Sequence, residues 1–240
     1  MTHIDASQMG YQQLNAEIQS CLGDISISGC TGPRFIGAGL EHSHLTISGT
    51  LGNALGAYLN GACIEVHGNA QDAVGDTMNA GRIIVHGSIG DAAGYAMRGG
   101  EIYVEGNAGY RAGIHMKAYG DKLPVMVIGG KAGSFLGEYQ AGGVSIVLGL
   151  TDGCRPIVSN FPCTGMHGGK LYLRSECKDL LLPKQVTAQP ATADDLAEIS
   201  GYLHTYCQLF GGSCEALLRS AFTVITPDSQ NPYKQMYVLN

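Results

Sequence analysis

The segment GDAAGYAMRGGEIYVEG, residues 90–106, decides the fold. It places glycine every few residues ahead of the alternating apolar run Ile102-Tyr103-Val104. Glycine at this density marks either a phosphate-binding loop or a chain turned repeatedly back on itself, and the alternation marks a strand. Recurrence separates the two. The strand-like ending returns as Ile25-Ser26-Ile27, Leu45-Thr46-Ile47, Ile64-Glu65-Val66, Ile83-Ile84-Val85, Val125-Met126-Val127, Val144-Ser145-Ile146 and Leu171-Tyr172-Leu173. Taken in chain order, the first residues of the triplets are separated by 20, 19, 19, 19, 23, 19 and 27 residues.

The glycines recur with the strands. Gly49, Gly52, Gly56 and Gly61 follow one another at steps of 3, 4 and 5, and the same steps separate Gly87, Gly90, Gly94 and Gly99, and again Gly130, Gly133, Gly137 and Gly142. A period near 19 with one short strand and several glycines is that of a solenoid, each period forming one coil. The glycines are then expected at coil corners, where they supply positive φ. The predicted fold is an all-β parallel β-helix of about seven to eight coils, on the order of 35 Å long at strand spacing. The first and third residues of each triplet are expected to face the interior, and the middle residue and the one after the triplet to face outward. A further column, Leu59, Met78, Met97, Met116, Gln140 and Met166, reads as core, with flexible thioethers filling an irregular interior.

Periodicity stops near Lys178. The expected organisation is a β-helix over 1–177, a linker over 178–191, and a helical cap with a tail over 192–240. Thr192 and Asp195 resemble a capping box, followed by an amphipathic run through Phe210; FTVITP reads as a strand. The cap is expected to close the open end of the solenoid, because an unpaired coil edge invites aggregation.

Composition narrows the function classes. The net charge of −6 and the scattered distribution of 14 Lys and Arg argue against nucleic acid as a partner. No run approaches a membrane span and the N-terminus MTHIDASQMG lacks a leader pattern, so a cytoplasmic location is expected, with the eight cysteines reduced. No C-x-x-C pair suggests zinc or iron–sulfur ligation. Gly37-Ala38-Gly39 is followed by His42 where a dinucleotide fingerprint needs glycine, and Gly169-Lys170 lacks the rest of a P-loop.

One constellation stands out. Ser48, His67, His86 and Glu105 occupy equivalent outward places in four successive coils, a spacing at which stacked side chains hold a metal or pass a proton. The plainer reading is an ordinary polar outer face. Glu65 and Glu105 fall in different outward columns and form no catalytic pair of the glycosidase kind. Asn69 and Asn107 read as turn residues bonding local backbone. The irregular insertions at 119–123 and 154–163 are candidate docking loops.

GDAAGYAMRGGEIYVEGNAGYRAG and TGMHGGKLYLRS resemble the G-x-G-x-G domain that stands at the C-terminus of the glutamate synthase large subunit and also occurs in formylmethanofuran dehydrogenase. The tail, from DDLAEISGYLHTYCQLFG through AFTVITPDSQNPYKQMYVL, is similar to the stand-alone glutamate synthase domain 3 proteins. The resemblance implies a right-handed β-helix with no catalytic, cofactor-binding or metal residue of its own. It further implies a scaffold for a glutamine amidotransferase subunit and an FMN-dependent, iron–sulfur glutamate synthase subunit. A formylmethanofuran dehydrogenase-type molybdenum or tungsten complex is the alternative setting, and an independent β-helix enzyme using His67, His86 and Glu105 a third. Thr2 stands where an amidotransferase would place its cysteine.

Overall fold

The computed structural model describes residues 1–21, 23–151, 156–177 and 180–228. Eight parallel strands stack in chain order: β2 (Ile25–Thr31), β3 (His44–Thr50), β4 (Asn60–His67), β5 (Ala80–Val85), β6 (Glu101–Val104), β7 (Val125–Ile128), β8 (Ala141–Val147) and β9 (Gly168–Leu173). Each strand pairs with the strand one coil on, which makes a parallel β-solenoid of about eight turns. A strand ahead of them, β1 (Thr2–Asp5), adds in parallel to β2; beyond β9 the sheet continues antiparallel through β11 (Thr223–Pro227) to β10 (Val186–Pro190).

In the first five coils the interior follows the expected alternation, with Ile25 and Ile27, Leu45 and Ile47, Ile64 and Val66, Ile83 and Val85, and Ile102 and Val104 buried in one core. The register then corrects the expectation for two coils. Ile102 pairs with Met126 and Met126 with Ser145, so Met126, Ile128, Ser145 and Val147 take the interior places. Inward-facing triplets in these coils start one residue later than Val125-Met126-Val127 and Val144-Ser145-Ile146, since Val125, Val127, Val144 and Ile146 face outward. These strands are apolar on both faces, so alternation no longer marks the inner one. The shift also explains Gln140 in the methionine column. Its amide accepts from the inward Ser145 hydroxyl at 3.4 Å and donates to the Gly143 carbonyl at 3.3 Å, which satisfies a polar couple inside the core.

The outward apolar face exists because a helix covers it. Helix α2 (Ala193–Phe210) starts at the predicted capping box, where the Asp195 amide donates to the Thr192 hydroxyl at 3.2 Å and the Thr192 amide to the Asp195 carboxylate at 2.9 Å. Its Ile199, Leu203 and Tyr206 pack on Tyr103, Val127, Ile146 and Tyr172. Lys170 on β9 bonds Glu198 at 2.6 Å near one end of the helix, and Phe210 at the other end meets the His86 ring at 5.0 Å. At 1.5 Å per residue, Asp195 to Phe210 spans about 22 Å, enough to cross the roughly 19 Å from β9 to β5.

The helix is thus a strap across the flank, not the predicted lid on the open end. The ends are closed otherwise. Strand β1 and helix α1 (Tyr11–Ser20), whose Leu14 and Ile18 enter the core, seal the N-terminal end. At the other end β11 and the polar, proline-ending edge strand β10 extend the sheet; β10 lies inside the stretch expected to be a linker. A short helix, α3 (Cys214–Leu218), joins α2 to β11. Cys154, Lys178 and the NPYKQMYVLN tail lie outside the described residues.

The corners show two distinct uses of glycine. Among the twelve expected corner positions, Gly49, Gly56, Gly61, Gly94 and Gly137 have positive φ, whereas Gly52, Gly87, Gly90, Gly99, Gly130, Gly133 and Gly142 do not. The second group sits where consecutive coils touch: a Cβ on Gly133 would lie 2.6 Å from the Gly109 carbonyl oxygen. Positive φ is in fact shared with other residues, as at Ala54 and Tyr58 on either side of Gly56, or Arg111 and His115 around Gly113. Corner side chains also bond the next coil, not local backbone as expected. Asn69 accepts from the Ser88 amide and Asn107 from the Lys131 amide, both at 2.8 Å.

Candidate functional site

Strand pleating puts Glu65 and His67 on one face of β4, two residues apart. His86 follows β5 directly, fixed by its backbone amide donating to the Val66 carbonyl at 2.9 Å. The predicted ladder therefore assembles. The His67 and His86 rings stack with centroids 4.5 Å apart, and His86 Nδ1 faces Glu105 Oε2 at 3.8 Å. Ser48 is in register with His67.

The centre of the cluster, however, is Glu65, which column counting sets apart from the ladder. Its Oε1 lies 2.8 Å from His86 Nε2 and 3.7 Å from His67 Nε2, while Oε2 lies 3.7 Å from His44 Nε2. A long carboxylate side chain reaches diagonally across strands, a distance that counting columns does not register. The signal available in sequence was Glu65-x-His67, an i, i+2 pair that must share a face. His44 sits opposite Cys63, diagonal to Glu65. Its Nε2 is shielded from solvent and has no hydrogen-bond partner. Glu65 and His86 are three-quarters buried, and the edge of Phe210 closes one side of the His86 ring.

Among the described residues the thiols form no disulfide and show no activating environment. Cys21, Cys30, Cys63, Cys163, Cys177, Cys207 and Cys214 are unpaired, and burial raises the pKa of the Cys30, Cys63 and Cys177 thiols and pushes that of Cys163 up to about 12. A depression bordered by Ala6, Met9, Tyr11, Thr31 and Arg34 holds about 210 Å³, smaller than small-molecule sites of roughly 300–1,000 Å³. Among the described residues no helix is long and apolar enough to cross a membrane.

A second surface lies on the turn arcs. Tyr110, Phe135 and Phe161 form one aromatic file, with centroids 5.4 and 5.3 Å apart, and Tyr95, His115 and Tyr139 form another. The Arg111 guanidinium lies 5.2 Å from the Tyr110 and Phe135 rings and donates to Glu138 at 2.7 Å. Tyr58, Tyr95, Tyr110 and Phe161 are 40% to 61% exposed. Of the expected docking loops, 119–123 projects Tyr119 and Leu123 into solvent, and 154–163 is described from residue 156, with Phe161 exposed.

Fold and surfaces together define a single-sheet parallel solenoid with glycine-spaced coils and a helical strap. The chain belongs to the GXGXG-motif family, which matches residues 12–228. It is 41% identical over 248 residues to the uncharacterized protein MJ1350 of Methanocaldococcus jannaschii, covering 98% of this chain and 95% of that one. Among solved structures it is similar to a chain of the formyltransferase/hydrolase complex from Methylorubrum extorquens in complex with methylofuran. That similarity has a TM-score of 0.53 at 21% identity and covers 92% of this chain and 89% of the other; at this identity it establishes a shared fold.

Proposed function

We propose that this chain is a non-catalytic scaffold subunit of a multi-subunit enzyme complex, bracing catalytic partners against its turn arcs. The observation that carries this reading is the pair of exposed aromatic files from Tyr95 to Phe161. Large rings on a rigid, regular surface supply contact area at low conformational cost, the composition expected where protein docks on protein. Arg111, held between two rings by Glu138, adds a cation of fixed position to that surface.

Two settings follow. In the first, supported by the likeness of the tail and coils to stand-alone glutamate synthase domain 3 proteins, the partners are a glutamine amidotransferase and a glutamate synthase subunit. FMN and the iron–sulfur cluster would then reside on those partners. In the second, supported equally by the solenoid's likeness to a chain of a formyltransferase/hydrolase complex, the partners handle formyl transfer or belong to a molybdenum or tungsten formylmethanofuran dehydrogenase-type assembly.

Affinity purification from the native host under gentle conditions, with the partners identified by mass spectrometry, tests both. An amidotransferase with a flavoprotein selects the first setting, and formyltransferase or molybdopterin subunits select the second. Glutaminase or synthase activity in the isolated chain would overturn the scaffold reading.

A further inference from the structure

We propose that Glu65, His67 and His86 form a binding site for one divalent transition metal, zinc being the ion that this donor set suits best. One donor atom from each of the three lies within 4.8 Å of the others, and the Glu65 Oε1 distances of 2.8 Å to His86 and 3.7 Å to His67 bracket the requirement. Donors held at 2.0–2.1 Å around a tetrahedral zinc lie about 3.3 Å from one another. Two neutral imidazoles and one carboxylate match zinc and its borderline neighbours, and disfavour magnesium or calcium, which take oxygen donors.

The surroundings supply the outer contacts such a site uses. Metal-bound histidines commonly turn their second nitrogen toward a carboxylate, which fixes the tautomer and raises basicity. His86 has Glu105 on that side, its Nδ1 3.8 Å from Oε2 when Nε2 points at Glu65, a gap that a small turn of the Glu105 side chain would close to a hydrogen bond. Glu65 would coordinate through Oε1 and leave Oε2 toward His44. The solvent-shielded His44 Nε2, 3.7 Å from Oε2 and without a hydrogen bond, then gains a purpose: its N–H would steady the free carboxylate oxygen. Two ligands stand on β4, the third is tied to β4 through the Val66 carbonyl, and Phe210 braces the His86 ring, so metal binding would turn the half-exposed His67 ring out of its stack with His86. Three protein donors leave the fourth zinc position for water or for a group from a partner.

The site is independent of the scaffold reading, and its test uses the untagged full chain alone. After chelator treatment and dialysis, the protein is titrated calorimetrically with zinc chloride at pH 7.5, and metal content is measured after a second dialysis. One equivalent of zinc is expected, with a dissociation constant on the order of micromolar or tighter. Glu65→Gln and His86→Ala should each weaken binding by about 100-fold or more. Glu105→Gln, at a half-exposed side chain outside the core, and His44→Gln should each cost about 10- to 100-fold. His42→Ala, at an exposed histidine whose carboxylate neighbour is Glu41 and not Glu65, should change nothing. Absence of stoichiometric zinc, or stoichiometric binding that survives Glu105→Gln and Glu65→Gln unweakened, overturns the proposal.

Discussion

Replacing Gly133 and Gly39 separately by alanine distinguishes the two reasons for glycine in this solenoid. Gly133 has ordinary φ, but an added Cβ would sit 2.6 Å from the Gly109 oxygen, 2.7 Å from its carbonyl carbon and 3.0 Å from the Tyr110 nitrogen. All three are backbone atoms, and the Gly133 amide donates to the Ala108 carbonyl at 3.0 Å and the Gly109 carbonyl at 3.1 Å, so neither coil can withdraw without breaking the stack. Overpacking against an immovable wall costs about 3 kcal/mol, which lowers Tm by roughly 6–12 °C in a chain of this size. Gly39 is the reverse case. Its φ is +68°, yet nothing lies within 4 Å of an added Cβ, and Ala96 already holds φ +50° at the equivalent place further along the solenoid. Gly39→Ala should cost about 1 kcal/mol, the ordinary left-handed penalty, and lower Tm by roughly 2–4 °C. Thermal melts followed by circular dichroism give both shifts under identical conditions. If Gly39→Ala proves as damaging as Gly133→Ala, then φ and not coil-to-coil approach governs the glycine spacing, and the stacking argument fails.

Two further outcomes follow from the strap. Leu203→Ala removes a fully buried side chain between α2 and the sheet and should destabilise the protein by about 2–5 kcal/mol in urea, whereas Leu181→Ala, at an exposed site, should leave the midpoint unchanged. Asp195 is held below the ordinary carboxylate pKa, first by the Thr192 hydroxyl and then by the Thr192 amide, with Lys170 adding to the effect. Its ionised form therefore stabilises the fold above the unfolded value of about 3.9, and that contribution disappears as pH falls through the lower folded value. Asp195→Ala should cost about 1 kcal/mol at pH 7, and denaturation at stepped pH should show the gap to wild type closing below about pH 4; a gap that persists in acid would show that the carboxylate's charge plays no part.

Local periodicity by itself determined the solenoid, its coil count, the methionine column and the capping box at Thr192. Each depends on near-neighbour rules: the two-residue pleat, a fixed coil length, and a side chain reaching the amide three residues on. The tertiary structure decided what depends on a second surface. Strands β7 and β8 are apolar on both faces, so their register became definite only when α2 lay over Val127 and Ile146 and left Ser145 inside to meet Gln140. Residues 1–21 carried no periodic pattern, and the role of α1 as an end plug depends on Leu14 and Ile18 finding the open core. The ladder was half legible: equal spacing aligned His67, His86 and Glu105. Only the strand spacing and the length of one carboxylate made Glu65 the residue on which the others converge, because diagonal reach across a sheet is a property of three dimensions.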